Sequence, residues 1–117
     1  MKRAILRGGL AAVALVTTLA HADVFKHQPG DLLFQDLDGS PLCDAIEKVT
    51  QGIGGAKFSH VAMVSRVESE GTWVIEAVSA GVVETPLDQV LERSKDDEGR
   101  PKVIVGRLKP HYRHLIP

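Results

Sequence analysis

The stretch Phe58-Ser59-His60-Val61-Ala62-Met63-Val64-Ser65-Arg66-Val67, with Glu68–Gly71 and Thr72-Trp73-Val74-Ile75-Glu76-Ala77-Val78 after it, decides how this chain is read. Each run is apolar and β-branched, and the polar link between them ends in glycine, which is the pattern of an antiparallel hairpin. Side chains alternate along a strand. His60, Ala62 and Val64 therefore share one face, and Val74, Glu76 and Val78 share a face of the return strand. An imidazole and a carboxylate inside apolar strands need a reason, because burying either unpaired is costly. If paired positions sum to 138, Ala62 lies opposite Glu76, and His60 is the diagonal neighbour of Glu76 on one face. If the sum is odd, the two side chains face opposite ways. The residues leave both registers open; the expectation is the even one, with Phe58–Val67 and Thr72–Val78 antiparallel and His60 and Glu76 on the same face.

Working outward, Gly30-Asp31 precedes Leu32-Leu33-Phe34, a short buried strand, and Asp36–Ser40 is a turn-rich loop. Ser40 followed by Pro41 reads as a helix cap and first turn. Leu42, Ile46, Val49 and Ile53 continue at helical spacing, until Gly52, Gly54 and Gly55 end the helix. After the hairpin come a short strand at Gly81–Glu84 and a second helix start at Thr85-Pro86-Leu87-Asp88, with Leu87, Val90 and Leu91 as its buried stripe. Lys95–Pro101 is a charged loop, Val103–Leu108 a last strand, and Lys109–Pro117 a tail with no clear element. The expected fold class is α+β, a small antiparallel sheet with two helices.

The amino end has the order of a secretory leader. Lys2, Arg3 and Arg7 precede the apolar run Leu10–Leu19, which is too short to span a bilayer stably, and Ala20-His21-Ala22 is a small-x-small cleavage pattern. The expectation is a signal peptide at 1–22, a single domain at 23–117 and a secreted or periplasmic location. Removing the leader takes three of the 14 basic residues and no acid, so 11 face 15 acidic residues, a net charge of −4. That balance argues against a nucleic-acid partner. No second apolar stretch is long enough for a membrane span.

Cys43 is the only cysteine, so an intramolecular disulfide is excluded. It lies near a helix start, where the dipole lowers a thiol pKa, and also beside the Leu42/Ile46 stripe, which makes a buried structural thiol the expectation. His111 and His114 are three apart with no third ligand in sight, and Asp36, Asp38 and Gly39 lack the rest of a calcium loop. The residues call for no metal and no cofactor.

The ordered segments Gly30-Asp31-Leu32-Leu33-Phe34-Gln35, Phe58-Ser59-His60-Val61-Ala62-Met63-Val64, Val74-Ile75-Glu76-Ala77-Val78 and Thr85-Pro86-Leu87 resemble the YiiX/YebB-like, circularly permuted papain-fold cysteine hydrolases, relatives of the NlpC-type cell-wall peptidases. The resemblance covers nearly all of Gln28–Pro117. It implies a partial permuted papain-like fold, with His60 of Ser59-His60-Val61 as catalytic histidine and Glu76 as its orienter. Gly30 and Asp31 then match the start of the first core strand. In that family the nucleophilic cysteine follows the histidine, whereas here no cysteine lies beyond His60. The resemblance thus implies an amidase- or peptidase-like chain, acting on cell-wall peptides or acyl-amides, truncated before its nucleophile and inactive as it stands. The competing expectation is a non-catalytic periplasmic binding or interaction domain. With the nucleophile-bearing helix absent, the sheet face carrying His60 is expected to lie open and to drive self-association.

Overall fold

A computed structural model of the chain describes residues 25–116; the leader expected at 1–22 lies outside them. Five strands form one antiparallel sheet: β1 (Leu32–Gln35), β2 (His60–Glu68), β3 (Gly71–Val78), β4 (Gly81–Pro86) and β5 (Val103–Gly106), in the spatial order β4-β3-β2-β1-β5. Helix α1 (Pro41–Val49) follows β1, and helix α2 (Leu87–Glu92) follows β4. The class is α+β, with strands and helices segregated rather than alternating in parallel units.

The central hairpin pairs Ala62 with Glu76, Met63 with Ile75 and Val64 with Val74, each pair summing to 138. The register then shifts between Val64 and Arg66, a bulge at Ser65 that strengthens the local twist. Ser65 Oγ lies 2.7 Å from Glu84 Oε1 and 3.2 Å from the Trp73 carbonyl oxygen. Three consecutive strands joined by short turns bring β2, β3 and β4 together. The chain then returns by way of α2 to lay β5 against β1, with Leu33 opposite Val105.

One sheet face is closed. Leu33, Ala62, Val64 and Val74 pack there beneath Leu87 and Val90 of α2, and all six are buried. Gln35 on the same face is fully buried and donates from Nε2 to the Val90 carbonyl at 2.6 Å, tying the sheet to the helix end. The other face is open: Val61, Met63, Ile75, Val82 and Ile104 are all exposed. The uncovered face is therefore the one opposite to expectation. His60 lies on the covered side, the one on which Leu33, Ala62, Val64 and Val74 pack with Leu87 and Val90 of α2.

The helices also depart from the reading of the residues. Ser40 Oγ does accept the Cys43 N–H at 3.1 Å, but α1 ends at Val49 and Ile53 belongs to a separate 3₁₀ turn, Ile53–Gly55. None of α1 is buried, and Leu42 and Val49 are exposed. Amphipathic spacing makes a helix, but burial needs a surface to receive the stripe. Thr85 does not cap α2, since β4 runs on through Pro86. The tail forms a 3₁₀ helix, Pro110–Leu115, whose following residue Ile116 packs against Gly30. Gly30 has φ +87°, and a Cβ there would clash with the Ile116 side chain, so both the turn and the packing require glycine.

Candidate functional site

The structure brings His60 and Glu76 together. His60 Nε2 lies 2.6 Å from Glu76 Oε2. The carboxylate is fully buried and the imidazole retains 14% exposure. Two further groups complete the cluster, and neither was singled out from the sequence as a site residue. Thr85 donates its hydroxyl to Glu76 Oε1 at 2.6 Å. Arg93, just past the end of α2, donates to both carboxylate oxygens at 2.6 and 2.7 Å. Strand β3 places Glu76, β2 its histidine, β4 its threonine and α2 its arginine. Arg93 carries no local signal: it sits in a charged stretch that reads as a solvated helix exit.

The guanidinium of Arg93 holds the Glu76 carboxyl down to about 2, against the opposing push of burial and with help from Thr85 and His60. Glu76 is therefore ionised across the ordinary pH range. An ionised carboxylate only accepts hydrogen bonds, so the ring nitrogen facing it must carry the proton. That fixes neutral His60 as the Nε2–H tautomer and leaves Nδ1 with its lone pair. Among the described residues, nothing is hydrogen-bonded to Nδ1.

His60 also borders a shallow depression of about 250 Å³ at the ends of strands β1 and β2, with Ile46, Thr50, Phe58 and Ser59 and with Phe34 and Val61 of the open sheet face. Ser59 is structural here. Its hydroxyl accepts the Leu37 N–H at 2.9 Å and lies 3.1 Å from the Leu37 carbonyl, pinning the loop after β1 to the start of β2. Cys43 is half-buried rather than buried. It lies on the turn of α1 before the Ile46–Thr50 segment that borders His60, and no hydrogen bond joins its sulfur to the imidazole among the described residues.

Gly30 and Asp31 form a second polar anchor. The Gly30 N–H donates to the Val64 carbonyl and the Val64 N–H to the Asp31 carbonyl, both at 2.8 Å. The Asp31 carboxylate is buried and accepts from Arg107 Nε at 2.6 Å and Nη2 at 2.8 Å, and from the Gln28 N–H at 2.8 Å. Arg107 holds this carboxyl below its usual range.

Lys102 bridges Asp36 and Asp38, so a cation of the protein's own sits between the two aspartates of the calcium-like loop. His111 and His114 are exposed, and His111 stacks on Tyr112. Among the described residues no three His, Cys, Asp or Glu side chains group as a metal site, and no helix is long and apolar enough to cross a membrane. Comparison with family models, curated proteins and solved structures returned no match for this chain.

Proposed function

We propose that this chain carries the base-and-orienter half of a cysteine-hydrolase-type site in an exported, permuted papain-like domain. His60 is the general base, Glu76 its orienter, and Arg93 and Thr85 hold Glu76 in place. The substrate class is an amide, in a cell-wall-type peptide or an acyl-amide. The observation that carries the reading is the 2.6 Å contact from His60 Nε2 to buried Glu76, which leaves Nδ1 with its lone pair on a residue that also borders an open depression. A base held in one tautomer and one orientation is what activation of a thiol requires. The thiol itself comes from outside the described site, so the chain alone is inactive on amides.

A second reading rests on Arg93. Its two bonds to Glu76 neutralise the carboxylate that would otherwise stabilise an imidazolium. That pattern also suits a non-catalytic binding or interaction domain, in which the cluster serves only to fix α2 on the sheet.

An introduced thiol separates the two. Thr50 and Ile46 share the depression with His60. Thr50→Cys and Ile46→Cys are made singly in a Cys43→Ala background, and iodoacetamide alkylation is followed against pH. The catalytic reading expects at least one new thiol to ionise well below the ordinary value of about 8.5, and to return to it when His60→Ala is added. Ordinary behaviour of both thiols, with and without His60, would overturn it. Native-sequence protein should show only background hydrolysis of small peptide amides. Turnover abolished by His60→Ala would locate the nucleophile inside the chain.

A further inference from the structure

A larger concavity lies elsewhere, at the turn end of the β2–β3 hairpin. It has a volume of about 550 Å³, and Trp73, Pro86, Leu87 and Leu91 give it apolar walls while Glu70 and Asp88 supply the charge. Glu76 is three residues further along β3, roughly 10 Å at the rise of a strand, so this groove and the His60 depression are separate places.

We propose that this groove binds a lysine side chain presented by a peptide segment. Three observations point to that chemistry. No basic residue lines the groove, and among the described residues neither Glu70 nor Asp88 takes part in an ion pair. Asp88 Oδ1 accepts the Gln89 N–H at 2.9 Å, but two carboxylates without an ion-pair partner beside an apolar surface favour a cation with an aliphatic stem: the methylenes cover leucine and proline while the ammonium reaches the acids.

The indole is also held firmly in place. Arg66 stacks on Trp73 with its guanidinium carbon 4.4 Å from the ring centroid, and is itself held by Glu84 at 3.0 Å and Glu68 at 2.7 Å. A ring fixed in advance loses little freedom when a ligand arrives. Arg66 already covers a face of that ring, so the indole offers the guest an apolar wall and the two acids supply its charge partners. Because Arg66 sits outside the groove lining, the acids of the groove remain for the guest.

Trp73 is the only tryptophan in the chain, so its fluorescence reports occupancy directly. The probe is a short dilysine peptide amide, and the control is the same peptide with norleucine at both lysine positions. The lysine peptide should give a saturable change in emission, with Kd near the millimolar range expected of a single charged anchor on an open site. The norleucine peptide should bind about three- to tenfold more weakly, as should the lysine peptide to a Glu70→Gln/Asp88→Asn variant, since an ion contact at an exposed site contributes only modestly. Added salt should weaken the lysine peptide alone. Both acids are exposed, so the variant retains the fold, which circular dichroism checks. His60→Ala should bind the peptide as the parent does, so failure here is distinguishable from failure of the catalytic proposal. No emission change, or equal binding of the lysine and norleucine peptides, would overturn the inference.

Discussion

Asp31 and Glu76 are both buried carboxylates gripped at two points by an arginine that is about one-third exposed. They differ in what else they hold. Asp31 adds the Gln28 backbone N–H and so closes a turn. Glu76 adds the Thr85 hydroxyl and the His60 ring, drawing in one more strand and one titratable group. The arginine–carboxylate fork is thus a structural device at both places. Only at Glu76 does the carboxylate also hydrogen-bond an imidazole; beside Asp31, His27 interacts with the carboxylate through space alone. What sets a candidate site apart from a staple here is the third partner, not the buried charge.

The largest expected effect tests whether that difference is also energetic. Glu76→Ala strands Arg93 and removes the partner of both Thr85 and His60, and should cost about 3–5 kcal/mol in urea unfolding. Asp31→Ala should cost less, about 2–3 kcal/mol, because the two arginines are equally exposed and only one backbone donor, rather than a hydroxyl and an imidazole, is left behind. Equal costs would show that the extra partners of Glu76 contribute nothing net.

Acid sharpens the same contrast. The Glu76 carboxyl is lowered from 4.5 to about 2, and that of Asp31 is lowered from 3.8. A depressed carboxyl stabilises the fold above its unfolded pKa, and the stabilisation is lost as pH falls through the folded value. Stability should therefore decline from pH 4.5 toward about 2. Glu76→Gln should flatten most of that slope and Asp31→Asn less, as followed by unfolding at a series of pH values. A smaller effect is expected from Thr85→Val, which keeps the shape but withdraws one hydroxyl from a buried oxygen, at about 1 kcal/mol by thermal or urea unfolding.

The hairpin residues carried much of this in their own alternation. His60 and Glu76 stood out as polar groups in apolar strands, and one of the two registers open to them brings them together. Local pattern could not choose that register, because the choice depends on the bulge at Ser65 and on what α2 covers. Thr85 looked like a helix cap because Ser/Thr-Pro pairs commonly are, yet its hydroxyl is held by a carboxylate nine residues back. Arg93 was illegible for the same reason: its partner is seventeen residues away and across a helix. The α1 stripe misled in the opposite direction. Leu42, Val49 and Ile53 have helical spacing but no surface against which to bury it. The Gly30-Asp31 anchor depends on Arg107, 76 residues from Asp31, which no window on the sequence spans.

The measurement that bears most directly on the account is the tautomer of His60, read from long-range ¹⁵N–¹H correlation spectra of the imidazole at a pH where the ring is neutral. The account predicts a proton held on Nε2 and a pyridine-like Nδ1, with that preference lost in Glu76→Ala. A neutral ring protonated on Nδ1, or one with the same tautomer balance in the presence and absence of Glu76, would contradict it.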